Sequence, residues 1–236
     1  FAVSKLLRLE RRRIGAFIVM CGLSNTLFVG MPVCRELLGD ACIPYVFSHY
    51  IANTLCFWIL GYTIMSYYGE NGENAQTLSR GGRVWVMVKR IFSIPLIVLI
   101  LSLVLMLAGV QMPRLVLSAA DHLGNCVTPV SLIYIGFILY EYGLKRPRLG
   151  MILVMVFRSL IMPAIMLGLC LLYKTDTLVT YTLVLVCAMP VMTQSVVVSA
   201  AAGADESYVM EGATLSTVLC FGTIPLIMTI LKQIVH

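Results

Sequence analysis

Charged residues are missing from long runs of this chain, and their spacing limits what it can fold into more than any motif does. Residues 14–34, 41–69, 91–113, 122–140, 177–204 and 212–231 contain no Asp, Glu, Lys or Arg, and a seventh run, 149–173, contains only Arg158. Each run is about 19–29 residues long, and a helix needs roughly 20 to cross a hydrocarbon core. Strands of a membrane barrel would be shorter and would alternate polar with apolar residues, which none of these runs does. In lipid every backbone polar group must be paired within the protein, so long apolar runs must be helices. The sequence predicts an all-α integral membrane protein with seven transmembrane helices. Only 12% of its 236 residues are charged, against about 25% in soluble domains. So few charges cannot cover a water-soluble body, which excludes an ordinary soluble enzyme and a nucleic-acid-binding module. The lipid bilayer is the first expected partner.

The net charge of +6 is explained by placement. With loops assigned alternately to the two sides of a membrane, one side holds twelve Lys and Arg, in the groups Lys5–Arg13, Arg80–Arg90 and Lys145–Arg148. The other side holds Arg35, Arg114, Lys174 and Lys232. Positively charged loops stay in the cytosol. The first side is therefore expected to be cytoplasmic and the C-terminal His236 outside. The eight cysteines are scattered along the helices without a CxxC pair, which suits packing and not a metal site or disulfide framework. No metal and no cofactor is predicted.

A faint internal repeat orders the helices. Shifted by 164 residues, Gly39 falls on Gly203 and Leu55-Cys56-Phe57 on Leu219-Cys220-Phe221, while Met31-Pro32 is echoed by Met189-Pro190 after a short gap. The matched helices lie five crossings apart, an odd number, so the matched pairs run in opposite directions through the membrane. That is the inverted-repeat arrangement of many secondary transporters. For a five-helix unit, residues 1–67 are the last two helices of a first repeat, 68–90 a cytoplasmic linker, and 91–236 a complete second repeat. Three further helices are then expected upstream.

Both helices of one matched pair are interrupted in mid-membrane. In the first, Gly30 weakens the helix, and Pro32 cannot donate a hydrogen bond and crowds the preceding turn. In the second, Pro190 does the same. The backbone groups freed at such breaks must be buried in protein or face a watery cavity. Half-helix ends carry partial charges that can hold an anion. Asn25, Thr26 and Gln194 would add donors beside the breaks, and Asn125, in the 122–140 run, is a third amide able to line a cavity. Arg158 lies about ten residues from either end of its run, too deep for easy snorkelling. Binding an anion and pairing with carbonyls are both open to it. The residues also permit the bland reading, in which Pro and Gly merely kink membrane helices.

Enzyme motifs are absent: no HExxH and no P-loop occurs. Gly22-Leu23-Ser24 has only His49 deep enough to serve as a base, with no spacing to support a protease. The chain is not expected to be an enzyme.

The motif Asn25-Thr26-x-Phe28-x-Gly30-x-Pro32 followed by Gly39-Asp40 resembles the signature of the auxin efflux carrier family of permeases. So do Met189-Pro190 through Ala200-Ala201-Ala202-Gly203-Ala204-Asp205 with Ser216-Thr217, and Pro129-x-Ser131-x-x-Tyr134-Ile135-Gly136 with Arg158 and Pro163. One departure is Leu27, where the family often has glycine, which stiffens the first break. The resemblance implies a ten-helix carrier of two inverted five-helix repeats whose broken helices cross at the substrate site. It implies a small organic anion as substrate, such as malate, malonate or an auxin-like carboxylate. The short linker resembles that of bacterial permeases, which places the chain in a plasma membrane, the bacterial inner membrane. Asn25, Thr26, Gly30, Pro32, Asn125, Arg158, Pro190 and Gln194 are the expected substrate-site residues. The sequence leaves the coupling ion open between a proton, sodium and none, and leaves open whether the carrier is a homodimer. A receptor or channel on the same scaffold is the competing reading.

Overall fold

The computed structural model describes residues 7, 9–70, 94–142 and 148–235, and among them all regular structure is helical. The basic run Arg11–Arg13 opens α1 (Arg11–Gly22), which ends where Leu23 turns extended (φ −112°, ψ 133°). After two further residues the chain resumes as a π-helical turn (Thr26–Gly30) that leads into α2 (Met31–Leu38). A 3-10 turn (Asp40–Cys42), α3 (Ile43–Cys56), a second π turn (Phe57–Gly61) and α4 (Tyr62–Tyr68) form one continuous rod. Then come α5 (Ile94–Leu107) and α6 (Arg114–Tyr142). α7 (Leu149–Val156), a third π turn (Phe157–Ile161) and α8 (Met162–Leu172) follow as another rod. The last elements are α9 (Thr177–Ala188), α10 (Gln194–Ala202) and α11 (Glu206–Ile234). Residues 71–93, which make up most of the expected linker, and His236 lie outside the described residues.

Among the described residues three helices are long and apolar enough to cross a membrane: Asp40–Tyr68, Leu149–Leu172 and Glu206–Ile234. The other four expected spans take other forms. Two are divided by their breaks into pieces of 8 to 12 residues. α5 is described over 14 residues, and α6 runs for 29 residues through the uncharged stretch 122–140.

The interior is organised as two apolar cores with a polar layer between them. One core gathers Phe17, Met20, Phe57, Tyr62, Met65, Met151 and Tyr208. The other gathers Cys34, Val46, Leu185, Met189, Cys220 and Leu231. Large apolar side chains such as Leu60, Leu172 and Phe221 stay on the outside, while Ser24, Asn25, Thr26, Asn53, Arg158 and Ser216 are buried. Apolar outside and polar within is the distribution lipid favours, because a polar group facing hydrocarbon has no partner. All eight cysteines are free thiols.

The start of α1, the end of α4 and the turn before α11 meet at one end of the bundle. Gly203 closes α10 in the left-handed region (φ 70°), a conformation glycine adopts without penalty. Its carbonyl accepts from the Arg12 side chain (3.2 Å) and the Glu70 N–H (3.0 Å). Asp205 caps α11 by accepting from the Tyr208 N–H (3.0 Å), and its carboxylate also takes the Arg13 guanidinium at 2.7 Å. Burial alone would raise the Asp205 carboxyl. The Arg13 hydrogen bond, the Tyr208 N–H and the charges of Arg13 and Arg12 outweigh that and hold it below the usual range.

A carboxyl with a depressed folded pKa stabilises the fold above its unfolded value, about 3.9, and loses that contribution as pH falls through the folded value. We expect Asp205→Ala to lower stability by about 1–2 kcal/mol at pH 7 through loss of the cap. Thermal unfolding of the detergent-solubilised protein checks this, and the difference from wild type should shrink as the pH is taken below about 4.

Candidate functional site

The two interrupted helices cross at their breaks. Ser24 and Val191 form an isolated antiparallel bridge, and the Asn25 N–H donates to the Pro190 carbonyl at 2.9 Å. The second break follows directly from sequence. Pro190 disfavours helical geometry in the residue before it, and Met189 is extended (φ −61°, ψ 154°). The Val191 N–H is taken up by Ser216 Oγ of α11 at 3.0 Å.

The first break is not at Pro32, where the sequence predicts it. The helix continues through Pro32, which lies in the first turn of α2, and the chain is interrupted at Leu23–Asn25 instead. The π turn accounts for the difference. Gly30 N–H bonds to the Asn25 carbonyl at 3.0 Å and Met31 N–H to that of Thr26, each spanning five residues. That widening relieves the clash a proline makes with the carbonyl four residues earlier. Pro163 stands in the same relation to the Phe157–Ile161 turn.

The polar groups exposed by both breaks are satisfied by side chains from elsewhere. Arg158, 2% exposed and seated in the third π turn, donates from Nε to the Met189 carbonyl (3.1 Å) and from Nη2 to those of Met189 (2.5 Å) and Cys187 (2.9 Å). It therefore closes the C-terminal end of α9, where carbonyls lack intrahelical donors and the helix dipole favours a cation. Of the two roles open to Arg158 in the sequence, carbonyl pairing occupies two of its three nitrogens. Nη1 has no partner among the described residues.

Asn53 of α3 performs the matching task at the first break. Its Oδ1 accepts from the Ser24 N–H (3.2 Å) and its Nδ2 donates to the Ser24 carbonyl (2.9 Å). Sequence reasoning missed Asn53. The available signal was an amide in the middle of the uncharged run 41–69.

Asn25 is 3% exposed, and both ends of its amide are committed. Nδ2 donates to Thr193 Oγ1 (2.5 Å), and Oδ1 accepts from the Phe28 N–H (3.3 Å). Thr26 Oγ1 lies 3.1 Å from both Ser24 Oγ and His49 Nδ1. Gly30 packs on Met189, and Pro190 is buried. Gln194 opens α10 beside Thr193, is half-buried, and its side chain has no hydrogen bond among the described residues. Asn25, Thr26, Gly30, Arg158, Pro190 and Gln194 thus gather at the crossing. Pro32 stands apart in α2, and Asn125 is exposed on α6. A cavity of about 400 Å³ lies elsewhere, at the Arg12–Glu70 end of the bundle. Among the described residues no group of His, Cys, Asp and Glu could hold a metal ion.

A family model described as membrane transport protein matches residues 1–228. A protein of Methanocaldococcus jannaschii named only as an uncharacterized transporter is 23% identical over 163 residues, covering 67% of this chain and 49% of its own length. The chain spans about half the length of that curated relative.

Replacing Arg158 with Met should orphan the Cys187 and Met189 carbonyls, at roughly 1–3 kcal/mol for each buried acceptor left unpaired. Arg158→Lys should recover part of that loss. Asn53→Leu should destabilise to a similar degree through Ser24. Thermal unfolding of the purified variants in detergent measures all three.

Proposed function

The chain belongs to the membrane transport protein family, and on that premise we propose that it is a secondary transporter moving a small organic anion by alternating access. The observation that carries this reading is the antiparallel crossing of two interrupted helices, pinned at Ser24–Val191 and Asn25–Pro190. Unwound segments at mid-membrane present backbone dipoles to a substrate, and half-helix N-termini favour an anion. The N–H groups of Thr193 and Gln194 at the head of α10 donate to no partner among the described residues. Gln194 supplies a side chain free of structural duty beside them. Asn25 and Thr26 hold the crossing in shape from within, and Arg158 brings the positive charge.

Counted with each broken helix as one span, the helices make seven crossings, read as part of a ten-helix carrier of two inverted repeats. The sequence match of Gly39 with Gly203 supports this. Both have positive φ (77° and 70°), both close a broken helix, and each leads within two residues to an Asp that opens the next element. The gathering of Arg11–Arg13 with the 203–206 turn supports placing that end in the cytoplasm, and we read the C-terminus as outside and the membrane as a bacterial inner membrane. The substrate is a carboxylate of the malate, malonate or auxin-like kind.

Uptake of labelled malate, malonate and indole-3-acetate into proteoliposomes holding the full-length protein tests the reading. Saturable flux is expected for at least one. Gln194→Ala should then reduce kcat/KM about tenfold or more, the worth of one hydrogen bond to a charged group, with no change in melting temperature. Absence of flux for every carboxylate would favour a receptor on the same scaffold. Flux untouched by Gln194→Ala would move the site away from α10.

A further inference from the structure

The polar layer contains one imidazole, and it touches both broken helices. His49 sits in the second turn of α3, half-buried. Its Nδ1 lies 3.1 Å from Thr26 Oγ1, at the start of the first π turn. Its Nε2 lies 3.7 Å from Cys187 Sγ, in the last turn of α9. Thr26 passes the connection to Ser24 on the bridge (3.1 Å). Arg158 donates to the carbonyl of the same Cys187 (2.9 Å). The imidazole and the guanidinium therefore meet at one residue, the first at its sulfur and the second at its carbonyl.

We propose that His49 is a proton site coupled to the anion: its imidazole takes up one proton from solvent as an anion enters beside Arg158, and returns it when the anion leaves. The proposal rests on reading the chain as an organic-anion carrier.

Hydrogen bonding permits both protonation states. In the neutral ring one nitrogen donates and the other accepts, and in the cation both donate. The Thr26 hydroxyl and the Cys187 thiol can each donate or accept, so adding a proton requires only that one hydroxyl or thiol hydrogen rotate away from the ring. Charge therefore decides. The charged or titratable groups on elements packed against α3 are Cys34, Arg35 and Glu36 on α2, Asp40 and Cys42 on the 3-10 turn, and Tyr181 and Cys187 on α9. Tyr45, Tyr50 and Cys56 share α3 itself. Arg35 and Asp40 pair with each other at 2.6 Å on the exposed end, and Asp40 lies nine residues from His49, roughly 13 Å along a helix axis. Glu36 is exposed on that same end. Among the described residues no carboxylate bonds to His49 or Arg158.

An imidazolium would thus stand beside a fixed guanidinium with no negative charge to offset either. An incoming carboxylate supplies that charge. Arg158 stays protonated throughout the cellular range, so the titrating partner is His49. Binding of anion and proton must then favour each other by the same factor. The sign is fixed: anion affinity rises as pH falls, and protons are taken up on binding.

The test is calorimetric titration of the full-length protein in detergent with indole-3-acetate, malate and malonate at pH 6.0 and 8.0, in two buffers of different protonation enthalpy. Indole-3-acetate is the primary probe, because a monocarboxylate stays ionised across this window. Wild type should bind about fivefold or more tightly at pH 6.0, with net proton uptake, while His49→Gln should bind with equal affinity at both. Unchanged affinity and no proton uptake in wild type would overturn the coupling and leave the carrier reading standing. A pH dependence that survives in His49→Gln would overturn the assignment to His49. Absence of binding by all three anions at both pH values would overturn the carrier reading and the coupling with it. The 236-residue sequence contains three histidines, and ¹⁵N-histidine spectra of wild type, assigned by replacing each of the other histidines with Gln, decide the matter even if His49→Gln does not fold. A His49 ring that stays neutral when saturated with anion at pH 7 overturns the proposal.

Discussion

The structure depends on how it satisfies the backbone groups released where two helices are cut in mid-span. Hydrocarbon offers no partner for a bare carbonyl or N–H, and each one left unpaired costs several kcal/mol. Four devices meet the demand. The two cut segments pair with each other at Ser24–Val191, Asn53 takes both polar groups of Ser24, Ser216 takes the Val191 N–H, and Arg158 takes the carbonyls at the end of α9. These groups come from α3, the third π turn and α11, so three of the elements that pack at the crossing are also what makes the crossing affordable. The two apolar cores lie on either side of this layer, with Met189 in one and Val191 in the other.

The same layer explains why a buried arginine and a buried asparagine persist in an interior that is otherwise apolar. Arg158 is held by its own fork of donors on fixed carbonyls, which lets a charge reside at depth with its geometry determined. His49 is placed differently: it contacts side chains and not backbone, so its hydrogen bonds outlast a change in its protonation. One cation is structural and constant, and its neighbour is free to vary.

Much of this was legible in the chain. The charge-free runs gave the helices, because lipid imposes a minimum length that no soluble domain needs. Pro190 gave the second break, because proline acts on the residue next to it. The first break was displaced, since Pro32 is compensated locally by an extra residue per turn and does not cut the helix. What cuts it at Ser24 is the hold of Asn53 and Val191, 29 and 167 residues away in sequence, and no local pattern carries that. Asn25 reads as a free amide in sequence, yet its two ends are tied by Phe28 and Thr193. Gln194, an amide like it, has no side-chain hydrogen bond among the described residues.

The π turns carry a further consequence for how such a helix can be altered. Each one adds a residue to a rod that would otherwise advance by about 100° per position, so it works as a phase shifter. Upstream of Phe57–Gly61 the rod buries Val46 in one core, and downstream it buries Tyr62 and Met65 in the other. Excising a single residue from that turn would restore regular winding and rotate the remainder by nearly a third of a revolution. Tyr62 and Met65 would swing toward lipid while the hydrophobic content of the segment stayed almost the same. Length, in this helix, encodes direction.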